Sequence, residues 1–211
     1  MARKQKQPDR ILLASPIDFG NATHLSSDRL FDLFLNGLRG WSIGRITVRV
    51  RYSRGADFSG TCFYADRRVF INLGKHLRYP YKMDTHIAKA RRFGNVWRRP
   101  LYSMEIKDAY QLALFIFMHE LYHLLVKRAG RNTRQKEAMC DRFAARHLIE
   151  RLGSSVRTDA GERATRSAWD FQDLEGFVAS ARDRSLQQVR AARRALKPER
   201  FSSEQLLLFK M

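Results

Sequence analysis

From Ile106 to Val126 the chain reads "IKDAYQLALFIFMHELYHLLV", a run with no glycine or proline and few polar residues. Its apolar positions cover every side of a 3.6-residue period instead of one stripe. The segment therefore predicts a helix buried on all faces, around which the rest of the chain must pack. Three titratable groups, His119, Glu120 and His123, sit inside it. Burying them without partners costs several kcal/mol, so the fold must supply compensation.

The spacing of these groups narrows what the compensation is. "HELYH" is H-E-x-x-H, and on a helix His119 and His123 at i and i+4 emerge on one face. Two imidazoles so placed can share one Zn²⁺, with Glu120 beside them to accept a proton from a water on the metal. "AGRNTR" then makes a turn, with Gly130 as a stop, and a second helix is expected over about 134–152. It carries "EAMCD", Glu137 to Asp141. A catalytic zinc takes three protein ligands, and Glu137 supplies the third from the facing helix. Asp141, one turn on, accepts a hydrogen bond from the outer nitrogen of a ligating histidine. His147 is an alternative ligand, and Cys140 is either a ligand or a small core residue. The competing reading is a pair of buried, hydrogen-bonded histidines with Glu120 paired to an arginine.

With H-E-x-x-H followed by E-x-x-x-D, the sequence resembles the zincin metallopeptidases, and among them the gluzincin branch, over roughly residues 45–152. The resemblance implies an α+β fold: a minimal domain with a small antiparallel or mixed sheet packed on the motif helix and on a second, ligand-bearing helix. It implies one Zn²⁺ on His119, His123 and Glu137, Glu120 as general base and Asp141 behind the ligands. It also implies an edge strand that pairs with extended substrate, and "RRVFINL", with Val69, Phe70, Ile71 and Asn72, stands in the right order for it. Only thirteen residues separate His123 from Glu137, a short connection. The SprT-like proteases, which digest DNA–protein crosslinks, are similar in basic character. Their third ligand is a histidine, however, and Ala129 stands where an H-x5-H extension would place one. Tyr102, Tyr110 and His147 are candidate donors to the oxyanion of such a reaction.

Elsewhere "SSDRLFDLFLNGLRG" predicts an amphipathic helix capped by Ser26 or Ser27, with Leu30, Phe31, Phe34 and Leu38 as its stripe. "RITVRVRY" alternates as a half-buried strand, and "TCFYADRRVFINL" reads as two short strands around a turn near Asp66–Arg68. Residues 75–104 lack periodicity and read as a long loop. In it Lys82, Lys89, Arg91, Arg92, Arg98 and Arg99 alternate with Tyr79, Tyr81, Phe93, Trp97 and Tyr102, a pattern that suits a single-stranded nucleic acid or a loop pinned to the core. The expected division is a basic leader over 1–22, the zincin-like domain over 23–153, a basic helical extension over 154–198 and a tail over 199–211.

The net charge is +19, from 40 Lys and Arg against 21 Asp and Glu, which favours a polyanionic partner such as DNA. In the tail, "QLLLF" (Gln205, Leu206, Leu207, Leu208, Phe209) resembles the pentapeptide by which bacterial DNA enzymes dock on the replication sliding clamp; the alternative is a last half-turn packed on the core. The basic start is not followed by a signal-peptide core, no apolar run reaches the roughly 18 residues of a membrane span, and two cysteines lie far apart. These features predict a reducing, cytoplasmic location without membrane insertion. Two functions follow: an intracellular zinc peptidase acting on proteins or peptides, some of them DNA-associated, or a DNA-binding or regulatory protein with a non-catalytic zinc site.

Overall fold

The structure, a computed structural model, describes residues 16–41, 43–134 and 136–179. Strand β1 (Ile17–Asn21) leads through helix α1 (Ser27–Gly37) into β2 (Ile46–Tyr52), which lies parallel to β1. The Ser26 side chain accepts from the Arg29 amide and caps α1, while Leu30 and Phe34 face the core. Strands β3 (Phe58–Phe63) and β4 (Arg68–Leu73) form a hairpin, turned at Arg67 with φ 49°. β4 inserts beside β2 in parallel, giving a mixed sheet of order β1-β2-β4-β3. Ile46, Val48, Val50, Val69, Ile71 and Leu73 bury its inner face, and Arg49, Arg51, Arg68 and Phe70 line its outer face.

The chain then forms β5 (Tyr81–Thr85), the hairpin β6 (Arg91–Phe93) and β7 (Val96–Arg98), and β8 (Tyr102–Ile106). β8 pairs with β5 and with β9 (Val156–Arg157), so a second small sheet has the order β5-β8-β9. Helix α2 (Ala109–Arg128) follows, and α3 (Glu137–Leu152) packs against it as an antiparallel hairpin. Asp108 accepts from the Gln111 amide while the Gln111 side chain accepts from the Lys107 amide, a near-reciprocal cap that fixes where α2 begins. α3 ends at Gly153, whose φ of 65° lets its amide reach back to Ile149. Short helix α4 (Arg166–Trp169) and the helical residues 174–179 complete the described chain. The described chain is thus a mixed α+β fold.

Several expectations are corrected. Residues 75–104 are not a long loop but hold four strands; β6 and β7 are exposed on both faces, so they carry no apolar alternation for a sequence reading to detect. The leader through residue 22 contains β1, whose place in the sheet comes from pairing with β2. Residues beyond 153 are not a simple extension: β9 joins the second sheet, and Trp169, Leu174 and Val178 are buried in the core. Ile106 ends β8 instead of starting the motif helix, and α3 starts at Glu137, not 134. By length and composition α2 does qualify as a membrane span, contrary to expectation, yet 83% of its apolar window is buried within the fold. The "QLLLF" tail, most of the basic leader and the Arg-rich part of the extension lie outside the described residues.

Candidate metal centre

Helix α2 brings His119, Glu120 and His123 to the side of the sheet next to β3, and the first turn of α3 brings Glu137 against them. His119 Nε2 and His123 Nε2 stand 3.2 Å apart. The Glu137 carboxylate reaches both, with Oε2 3.1 Å from His119 Nε2 and Oε1 3.3 Å from His123 Nε2. Donors each about 2.0–2.1 Å from one tetrahedral ion must stand about 3.3–3.4 Å from one another. The three side chains are therefore already spaced like one face of a tetrahedron.

The surroundings give this cluster its charge. His119 Nδ1 lies 2.9 Å from Asp141 Oδ1 and its Nε2 3.1 Å from Glu137 Oε2, so the protonated ring donates to both carboxylates. With the Nε2 proton removed, Asp141 still holds Nδ1–H and Nε2 faces Glu137 and His123 as a lone pair. Three acidic groups, Glu120, Glu137 and Asp141, thus lie near two imidazoles, an arrangement that favours positive charge. Burial alone would push the His119 pKa down. The hydrogen bonds to Asp141 and Glu137, with the charges of Asp141 and Glu120, outweigh it and hold the ring up at about 10. The bond to His119, against burial, keeps the Glu137 carboxyl down at about 2. His123 shifts the other way: burial and then the neighbouring His119 hold its pKa low. The pair thus holds one positive charge, on His119, at the place a shared cation would occupy. His123 Nδ1 is buried without a hydrogen-bond partner, so this ring, unlike His119, is held by polar contacts only through its Nε2.

Glu120 faces β3. Its carboxyl is buried, and burial, then opposed by His119 and reinforced by Glu137, pushes its pKa up to about 7. The close approach is made possible by Gly60 in the middle of β3: a Cβ there would fall 2.2 Å from Glu120 Oε1. Sequence reasoning missed Gly60. The signal was present, since an isolated glycine inside a strand marks a close approach by another group.

The predicted site residues come together in part. His119, His123, Glu137 and Asp141 form one cluster with Glu120 beside it. Cys140 Sγ also lies within 4.8 Å of the histidine ligand atoms, so a His119–His123–Cys140 set is able to hold an ion as well. The Glu137 oxygens approach to 3.1 and 3.3 Å, and burial followed by the Glu137 charge raises the Cys140 pKa and disfavours its thiolate. The geometry favours Glu137. His147 is ten residues, roughly 15 Å of helix, beyond Glu137; its Nδ1–H donates to Phe143 O and its ring packs on the Phe143 ring, so it is no ligand. Tyr110 OH is engaged by the Ser26 amide at the start of α1, and Tyr102 is buried on β8. Neither is positioned as an oxyanion donor by any contact to the cluster.

The edge-strand expectation is also corrected. Val69, Phe70, Ile71 and Asn72 belong to β4, which is paired on both sides and has no free edge. The outer strand is β3, and among the described residues no strand pairs its far side. The order arises because β3 leaves a gap beside β2 that β4 returns to fill, which adjacency in sequence does not show. No protein-family model, no curated protein and no solved structure matches the chain. Its functional reading therefore rests on the geometry.

Proposed function

We propose that this chain is a zinc-dependent metallopeptidase, with Zn²⁺ held by His119, His123 and Glu137. The observation that carries the reading is the mutual spacing of the three donor groups, 3.1 to 3.3 Å, beside a buried carboxyl with no other evident task. Zinc, when bound, supplies Lewis-acid activation of water and of the scissile carbonyl.

The protein's own residues do the rest. Glu120 takes the proton of the attacking water and returns it to the leaving amine, and a pKa lifted towards neutrality suits a group that must act as base and then as acid. Asp141 holds His119 in the tautomer that presents Nε2. Burial of Glu120 against Gly60 of β3 keeps bulk water from the carboxyl, which strengthens the charge interactions there. The free edge of β3 offers backbone donors and acceptors to an extended substrate, which would lie across Glu120 as an added strand.

Two measurements test this reading. The purified chain should carry one zinc per molecule and hydrolyse an unfolded protein. Glu120→Gln should keep the zinc and lose at least a hundredfold in rate, in line with the removal of a general base. Zinc bound without hydrolysis by the unaltered chain would instead establish the regulatory, non-catalytic alternative.

A further inference from the structure

The β6–β7 hairpin holds the three most exposed large hydrophobic side chains among the described residues, Trp97, Phe93 and Val96. Between Thr85 and Met104 there is no Asp or Glu, while Lys89, Arg91, Arg92, Arg98 and Arg99 all fall within it. None of these four arginines takes part in an ion pair. Trp97 is 70% exposed and Phe93 54% exposed, where a soluble surface would ordinarily shelter such rings. Cross-strand partners share a face of a ribbon. Arg91 opposite Arg98 and Phe93 opposite Val96 therefore occupy one side, and Arg92 opposite Trp97 the other. Each face thus sets an aromatic ring within one residue pair of guanidinium groups.

The hairpin is firmly rooted. Arg142 of α3 donates to Ile87 O at 2.7 Å and to Ala88 O at 3.4 Å, and the Lys89 amide donates to Ala168 O. Arg142 also lies over the Phe171 ring, with the Lys89 ammonium near the same ring. Arg142 directly follows Asp141, so the base of the hairpin is tied to the helix that carries Glu137 and Asp141.

We infer that the β6–β7 hairpin binds single-stranded nucleic acid, with Trp97 and Phe93 stacking on unpaired bases and the arginines contacting phosphates. Unpaired arginines supply the backbone term, and exposed rings supply a sequence-tolerant stacking term. An anionic membrane is the other partner for a basic, aromatic hairpin, but the tip argues against it. The Arg92 guanidinium folds over the turn, donating to Gly94 O at 2.9 Å, and Asn95 stands beside it. An inserted tip would carry that charge into the hydrocarbon, at high cost.

The test uses the full chain and a fluorescein-labelled oligothymidylate of about twenty nucleotides, several times the site of one small binding element. Trp97→Ala should weaken binding by roughly tenfold or more, the range of one lost base stack. Replacing Arg91 and Arg98 together by Ala should reduce the slope of log affinity against log salt by about 1.4, or 0.7 for each phosphate contact. Binding should quench tryptophan emission, since of the three tryptophans Trp97 is exposed, Trp169 is buried and Trp41 is half-buried against Phe143; Trp97→Phe should abolish most of the quench and keep most of the affinity. All of these positions are exposed, and unchanged zinc content separates this result from the peptidase reading. Unaltered affinity in both hairpin variants would overturn the inference. So would a duplex of equal length binding as tightly as the single strand, or Trp97-dependent binding to phosphatidylserine vesicles without oligonucleotide binding.

Discussion

Gly60 offers the most specific test of how β3 and Glu120 work together. No side chain at 60 fits the present arrangement: a Cβ would stand 2.2 Å from Glu120 Oε1 and 2.8 Å from its Cγ and Cδ, whereas ordinary contact begins at 3.4 Å. In Gly60→Ala the carboxyl must therefore retreat by about 3.4 − 2.2 = 1.2 Å. A misplacement of about 1 Å at a catalytic group costs on the order of a hundredfold in rate. The clashing atoms are the end of a flexible side chain, so the stability cost should lie at the low end of the roughly 1–3 kcal/mol range for overpacking. The expected variant is folded, loads zinc normally because the three atoms nearest a Cβ at 60 all belong to Glu120 and none to a ligand, and turns over about a hundredfold more slowly. Hydrolysis of a dye-labelled unfolded protein, with zinc content measured on the same samples, reads both quantities. Activity within threefold of the unaltered chain, at full zinc content, would refute the claim that this approach positions Glu120.

Further outcomes follow from the same contacts. Zinc at about a hundred times its Kd should add roughly 2.7 kcal/mol of stability, read as a rise in Tm; the rise should survive Cys140→Ala and vanish in Glu137→Ala, and the reverse pattern would move the third ligand to the thiol. Arg142→Ala removes the donors to Ile87 O and Ala88 O and should cost about 2–4 kcal/mol in urea unfolding. The His147 pKa is lowered, by burial first and then by Arg151, against the bond to Phe143 O and the charges of Glu150 and Glu175. A depressed folded pKa means that the unfolded chain binds the proton more readily. The His147 contribution is therefore fully present above about pH 6.5 and is lost as pH falls below it. Tm of the unaltered chain should drop more than that of His147→Gln between about pH 7.5 and 5, and parallel curves would contradict the assignment.

Much of the site was legible in one dimension because helices convert spacing into direction. His119 and His123 share a face whatever surrounds them, and Glu137 and Asp141, also four apart, share another. A run apolar on all sides had to become the buried α2, and the alternation of Ile46, Val48 and Val50 had to become a half-buried strand. Strand order has no such local code. β4 came to lie inside the sheet and β3 at its edge because β3 left a gap beside β2 that the returning hairpin filled, and the cost of leaving backbone groups unpaired is the same for either order in sequence. For the same reason, Gly60 could be seen as a glycine in a strand but not as the space Glu120 occupies. The β6–β7 hairpin shows the opposite limit: with no buried face it has no hydrophobic period, and its two strands exist through pairing with each other. The sequence by itself determined the candidate donor groups, their helical register and the excess of positive charge. Tertiary structure alone decided that His119, His123 and Glu137 meet at 3.1 to 3.3 Å, because that distance is set by how α2 packs on α3, a contact between segments that neither one encodes alone.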